Sequence, residues 1–205
     1  MTVKKIILCT TNDHKINEFN KLLSNYNIQL IKSDTKFEST FPKDIETVVM
    51  KEETILFLKK DNTIINIDEI NNFDGSIVIA KSVLLFSKLD EKNELGYGLY
   101  QQETLGMLDT KRELNSDSFG WDNYFINLLT GLSLYELNKK NLKVFSRQEN
   151  LANFLIDNLY YKNRGDLNFN PQNQENTIEL NNNVLNLIEN NKYINNKYSK
   201  ELGLV

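Results

Sequence analysis

Lys4-Lys5-Ile6-Ile7-Leu8-Cys9-Thr10-Thr11-Asn12-Asp13-His14-Lys15-Ile16-Asn17-Glu18-Phe19 decides the class of fold. An apolar run, Ile6 to Leu8, stops at small hydroxyl residues, and Ile16, Phe19, Leu22 and Leu23 then recur on one helical face. The pattern predicts a strand, a polar turn and a helix. A turn of this kind offers backbone N–H groups and the positive end of a helix, and Thr10, Thr11, Asn12 and Lys15 add hydroxyl, amide and ammonium donors. It is suited to a phosphate. Helix capping by Thr11 or Asn12, with Lys15 in solvent, accounts for the same residues. Ile28 to Lys32 reads as a second strand, so the opening is a strand-helix-strand unit and the class is α/β.

The chain of 205 residues is long enough for one sizeable core, and is expected to form one domain over 1–161 with an Asn-rich extension over 162–205. Hydrophobic residues make up 40% and charged residues 25%, as in ordinary globular proteins. A net charge of −4 is not the electrostatic footprint of a general nucleic-acid binder, so no nucleic-acid partner is expected. No apolar run reaches the length of a membrane span, and the first hydrophobic run is too short for a signal peptide. With Cys9 as the single cysteine, an internal disulfide and a Cys-based zinc site are excluded. These features lead us to expect a cytoplasmic protein with no membrane partner.

Further along, Phe37 to Lys43 reads as a loop around Pro42, and Ile45 to Lys60 as an amphipathic helix. Thr63 to Ile67 has the β-branched density of a buried strand ending at Asp68-Glu69. Ser76 to Ile79 and Val83 to Phe86 fit either strands or a buried helix, whereas Gly96 to Gln101 and Glu103 to Met107 look extended and antiparallel. Asp117 to Phe125 is a compact aromatic loop with Trp121, the single tryptophan. A helical pattern through Val144, Leu151, Phe154 and Leu155 carries Ser146 and Arg147 in its first turn. Past Tyr161 the chain becomes Asn-rich, and Leu180, Val184, Leu187, Ile188 and Tyr193 give residues 178–194 the pattern of an amphipathic helix.

Four separated stretches resemble the inosine triphosphate pyrophosphatase family, enzymes that remove non-canonical purine nucleotides. Thr10-Thr11-Asn12-Asp13-His14-Lys15-Ile16-Asn17-Glu18 is similar to the family's Thr/Ser-x-Asn-x-x-Lys-x-x-Glu motif. Gln102 to Met107 resembles its Gly-x-Thr-x-Gly-x-Ile strand, with Gln102 for the first glycine. Ser118-Phe119-Gly120-Trp121-Asp122-Asn123-Tyr124-Phe125 resembles its Gly-Phe-Gly-Tyr/Trp-Asp-Pro-x-Phe loop. Tyr135-Glu136-Leu137, Lys140-Asn141 and Ser146-Arg147 resemble its Glu-Leu/Met, Lys-Asn and Ser-His-Arg series, the histidine being absent here. The family's strand-end acidic motif, Asp-Ser-Gly or Glu-Asp-Thr, is matched to Asp68-Glu69-Ile70.

The resemblance implies a twisted mixed sheet flanked by helices, with two lobes and a central cleft, and a homodimer. It implies hydrolysis of a nucleoside triphosphate such as ITP, dITP or XTP to the monophosphate and pyrophosphate. A triphosphate needs cations and donors, a base needs a flat aromatic surface, and its edge needs polar groups. Thr10, Thr11, Asn12, Lys15 and Lys51 are candidates for the phosphates and Phe119 and Trp121 for stacking. Asp122, Lys140, Ser146 and Arg147 remain for the base and its surroundings. Asp68 and Glu69 are the candidate catalytic carboxylates, and with Glu38 the candidate ligands of Mg²⁺, the expected cofactor. A chain that binds a nucleotide or a protein partner without catalysis is the alternative.

Overall fold

The computed structural model describes residues 3–118, 120–140 and 145–161. Six strands form one mixed sheet: β1 (Lys5–Cys9), β2 (Gln29–Ser33), β3 (Thr47–Leu58), β4 (Ile77–Leu89), β5 (Leu95–Leu108) and β6 (Phe125–Asn127), in the order β2-β1-β3-β4-β5-β6. Among the described residues three α-helices accompany it: α1 (Asp13–Leu23), α2 (Leu134–Lys139) and α3 (Ser146–Leu155), the last followed by a π-helical turn, Ile156–Tyr161. The α/β class expected from the opening stretch is the class observed.

β1 pairs in parallel with both β2 and β3, with Ile7 opposite Ile31 on one side and Val49 on the other. Parallel neighbours need crossovers, and α1 supplies the first. Asn12 caps it by accepting from the His14 N–H, and its apolar face buries Phe19, Leu22 and Leu23. The rest of the sheet is antiparallel. Lys59, just past β3, donates to the carbonyl of Ile77 at the start of β4, so those two strands run in opposite directions. A short turn at 90–94, with Asn93 at φ 60°, joins β4 to β5 as a hairpin, and β5 pairs antiparallel with β6.

The chain divides into two compact units, with β3, β4 and β5 contributing residues to each. In the first, made of the described residues 3–53, 83–100 and 150–161, α1 and α3 share one core with alternate residues of the strands: Phe19, Ile6, Leu8, Met50, Leu84 and Phe154. Phe86 lies 5.1 Å from Phe154 and stacks on Tyr100, and a Cβ on Gly98 would fall within 2.3 Å of the Phe86 ring. In the second, made of the described residues within 54–82 and 101–149, Phe125 and Phe145 pack with Leu108, Leu134 and Leu137, and Gly106 leaves the space that the Phe125 ring fills. Gly98 and Gly106 of β5 thus mark places where a ring lies against backbone.

Two expectations are corrected. Residues expected as a helix over Ile45 to Lys60 form β3, whose first residues, Thr47 to Met50, are buried on both faces of the sheet. Such a run loses the alternation that marks a strand, and its β-branched content was the better guide. Thr63 to Ile67 is not a regular strand. The chain reverses at Asn62 (φ 59°), Ile64 makes a single antiparallel bridge to Phe57, and Ile67–Phe73 is a 3₁₀ helix with Asp68 and Glu69 in its first turn. The two apolar runs left open between strand and helix are both in β4, and the two extended segments after them are one long β5. The C-terminal extension and its amphipathic segment lie outside the described residues.

Candidate functional site

In the first unit the connectivity alone marks a place for a ligand. From β1 the chain crosses to β2 on one side and then to β3 on the other, so the strand order reverses between β1 and β3. Open α/β sheets bind ligands at the carboxyl ends of the strands beside such a reversal. The carboxyl end of β1 is Cys9-Thr10, and the register, Leu8 opposite Met50, brings Lys51, Glu52 and Glu53 of β3 level with it.

The turn there is held mostly by its own groups. The Thr10 N–H donates to the Ser33 carbonyl, the Asn12 N–H to Thr10 Oγ1 at 3.1 Å, and the His14 N–H to Asn12 Oδ1 at 2.9 Å. The open backbone donors expected of this turn are therefore largely engaged, and Asn12 is a cap as well as a candidate ligand. Thr11 is exposed and His14 is on the surface. Lys15, one turn into α1, reaches back over the sheet, where its ammonium donates to the Glu52 carbonyl and lies 3.1 Å from the Glu52 carboxylate. The Glu52 side chain is fully buried, while that of Lys15 is 20% exposed. The Glu52 carbonyl accepts from the Lys15 ammonium and the Glu52 carboxylate adds its charge beside it, so that Glu52 holds the ammonium in place.

Alternate residues of β3 point to the other face. Lys51 is ion-paired with Glu53 at 3.0 Å, and this partner, together with the charge of Glu38, holds its ammonium above the usual lysine range. Cys9 is buried beside them. Burial pushes its thiol up, a hydrogen bond with Thr40 pulls it down, and the charges of Glu38 and Lys51 act in opposite directions. Glu38, Thr40, Cys9, Lys51 and Glu53 are thus one neighbourhood, with Glu38 carried on a 3₁₀ turn, Phe37–Ser39. Among the described residues no three His, Cys, Asp or Glu side chains come together as a metal nest.

In the second unit the half-buried Trp121 ring leans on Phe125 at 5.5 Å and Phe145 at 6.1 Å, and Asp122 accepts the Tyr135 N–H at its carbonyl. Ser146 is fully buried: its N–H donates to Thr104 Oγ1 at 2.8 Å and its hydroxyl to the Ala80 carbonyl at 3.2 Å. Its observed work is to pin the start of α3. The Arg147 guanidinium lies 5.0 Å from the Phe145 ring centre, and Lys140 is exposed at the end of α2. Asp68 and Glu69 are exposed on their 3₁₀ helix, without the strand end that suggested them. Phe119 lies outside the described residues.

Sequence reasoning passed over Glu52 and Glu53, because a helix over this stretch made them its solvent face. The signal was present: Glu52-Glu53-Thr54 follows the pattern Glu-Asp-Thr as closely as Asp68-Glu69-Ile70 does, and it is preceded by Val48-Val49-Met50, an apolar strand.

Fold and site together define an open α/β sheet with a charged and hydroxyl-bearing site at its topological switch point. The Staphylococcus aureus Ham1 protein has this fold: it superposes with a TM-score of 0.50 over 78% of this chain and 100% of its own, at 16% identity. A HAM1 protein from Coxiella burnetii gives 0.46 at 13% identity, covering 72% of this chain and 94% of its own. A Mycobacterium abscessus protein named as a nucleoside-triphosphatase and dITP/XTP pyrophosphatase gives 0.40 at 11% identity, covering 67% and 92%. No family model and no curated protein matches the sequence. The chain has the Ham1 fold.

Proposed function

We propose that this protein is a nucleoside triphosphate pyrophosphatase that hydrolyses non-canonical purine nucleotides, ITP, dITP or XTP, to the monophosphate and pyrophosphate. The observation that carries the reading is the placement of Lys15 and Lys51, with Glu52 and Glu53, at the switch point beside the Thr10 to Asn12 turn. The ordered motif resemblance and the Ham1 fold support it. In the reaction, the oxygen of a water molecule bonds to phosphorus as the bridging P–O bond between the α- and β-phosphates breaks. Pyrophosphate leaves, and a carboxylate takes the water's proton. Lys15, aimed by Glu52, and Lys51 neutralise phosphate oxygens, with the Thr11 hydroxyl as a further donor. For the base, the motif resemblance alone nominates Trp121, Asp122 and Arg147, and it nominates Lys140 as a further substrate-binding residue.

A magnesium ion shared with a triphosphate takes most of its ligands from phosphate and water, so one or two carboxylates suffice. Glu38 and Glu53 have that character, both lying in the Cys9 and Lys51 neighbourhood. When bound, the ion would polarise the phosphoryl group and offset its charge. For the proton acceptor, Glu53 stands at the switch point and Asp68 and Glu69 on the 3₁₀ helix. Resemblance to the family further suggests a cytoplasmic homodimer.

Pyrophosphate release from ITP, dITP, XTP and the common NTPs, with Mg²⁺, tests the reading, and an inert protein with all of them sinks it. Glu53→Gln is expected to abolish turnover and the pair Asp68→Asn with Glu69→Gln to spare it; the reverse outcome returns the base to the 3₁₀ helix. A second reading, binding without turnover, is favoured by the engagement of Glu53 with Lys51 and of Ser146 with the fold. Calorimetric binding of ITP without pyrophosphate release would select it.

A further inference from the structure

A cavity of about 510 Å³ opens in the second unit, where β3 ends and β4 begins. Among the described residues it is lined by Leu58, Lys59, Lys60, Ser76 and Ile77. None of these belongs to the motif series or to the switch point. The volume lies within the range of small-molecule sites, roughly 300–1,000 Å³.

The backbone around the cavity is satisfied. The Lys59 N–H donates to the Ile77 carbonyl at 3.0 Å, which brings the two strand ends together, and the Asn62 N–H returns to the Leu58 carbonyl at 2.9 Å as the chain reverses. The Ser76 N–H donates to the Phe73 carbonyl, and its own carbonyl accepts from Leu108. The side chains differ. Among the described residues neither the Lys59 nor the Lys60 ammonium is ion-paired, and the Ser76 hydroxyl has no hydrogen-bond partner. The carboxylates that stand nearest in sequence are committed elsewhere. Asp61 accepts the Thr63 N–H at 3.0 Å, and Asp74 accepts the Thr110 N–H at 2.9 Å with the Lys111 ammonium 3.3 Å away. Leu58, 5% exposed, and Ile77 supply an apolar wall.

We propose that this cavity binds a small phosphate monoester, with its phosphoryl group on Lys59, Lys60 and Ser76 and its organic part against Leu58 and Ile77. An ammonium group can only donate, so the complement of this wall is an anion rich in acceptors. A monoester carries a charge of about −1.5 to −2 near pH 7, which matches the two lysines, whereas a carboxylate brings half of it. Inorganic phosphate alone leaves most of the volume and both apolar side chains uncovered. The inference is independent of the nucleotide reaction, because Lys15 and Lys51 belong to the first unit.

The test is a titration of the isotope-labelled full chain with phenyl phosphate, read from amide cross-peaks. The expected result is saturable movement of the peaks of Lys59, Lys60, Ser76 and Ile77, with weaker binding of inorganic phosphate, benzoate and phenol. Lys59→Gln combined with Lys60→Gln should weaken phenyl phosphate at least about tenfold, through the loss of charge-assisted hydrogen bonds. Unmoved peaks, movement that never saturates, binding of any of the other three probes as tight as phenyl phosphate, or undiminished affinity in the double variant would overturn the proposal. Movement confined to Cys9, Thr10 and Lys51 would also overturn it, placing the probe at the switch point alone. The spectrum itself reports whether the variant is folded.

Discussion

The switch point of the first unit and the aromatic cluster of the second both collect the residues of the motif series, but they treat polar side chains in opposite ways. At the switch point the cations are held by carboxylates of the adjoining strand, and the ammonium groups keep an outlet: Lys15 is 20% and Lys51 33% exposed. In the aromatic cluster the polar groups bond to the fold. Ser146 is spent on Thr104 and Ala80, and the Asn123 amide donates to Ser118 while accepting from Asn115 at 3.0 Å. The contrast separates residues that can do chemistry from residues of the same type that fix a shape.

Glu52→Ala should produce the largest effect. It leaves the Lys15 ammonium mostly buried opposite no carboxylate, which costs about 3 kcal/mol. Urea unfolding should show the loss, and nucleotide affinity should fall with it, since Lys15 would no longer be aimed. Glu52→Gln should recover part of the stability. If it recovers all of the affinity, charge at Glu52 is irrelevant and the contrast fails.

Gly106→Ala should come next. Its Cβ would lie 2.3 Å from the Phe125 ring, and such overpacking costs about 1–3 kcal/mol. The double variant with Phe125→Leu should lose less than the sum of the two single changes, because the ring is what the methyl meets. Ser146→Ala follows at about 1–2 kcal/mol, from removing the hydroxyl that donates to the buried Ala80 carbonyl, the backbone bond to Thr104 being kept. Its discriminating readout is nucleotide affinity: an unchanged value leaves Ser146 a purely structural residue, and a tenfold loss makes it a ligand.

Glu136→Gln should have the smallest effect. Glu136 closes a capping box with Ser133 at the start of α2 and accepts from Arg112 at 2.9 Å. The Ser133 N–H, followed by Arg112, holds its carboxyl below the ordinary value of 4.5. A depressed value in the folded state stabilises above 4.5 and is lost as pH falls through the folded value. The variant should therefore be about 1 kcal/mol less stable at pH 7 and converge on the parent under acid, as urea midpoints across pH 2–7 would show.

How far the sequence revealed this architecture depended on whether local signals agreed. In β1, α1 and β2 the apolar run, the Asn12 cap and the helical stripe all pointed one way. In β3 they conflicted, since a strand buried on both faces has no alternation, and Glu52 and Glu53 then passed for a helix surface. A bridge of one residue pair, Phe57 to Ile64, left no periodic trace either, so Asp68 and Glu69 were attached to a strand that is a 3₁₀ helix. Ser146 was found by pattern, but its burial follows from Thr104 and Ala80, distant in sequence and silent in any local reading.

The turn at 90–94 bears on the order of assembly. β4 and β5 meet across it by purely local contacts, and hairpins close in about 1–10 μs. β1 and β3 meet only after α1, β2 and the second crossover have been accommodated, and long loops slow such pairing. The stretch that carries Lys51, Glu52 and Glu53 is therefore the late-forming part of the sheet. Substitutions in the hairpin should chiefly alter the refolding rate, and those between β1 and β3 the unfolding rate.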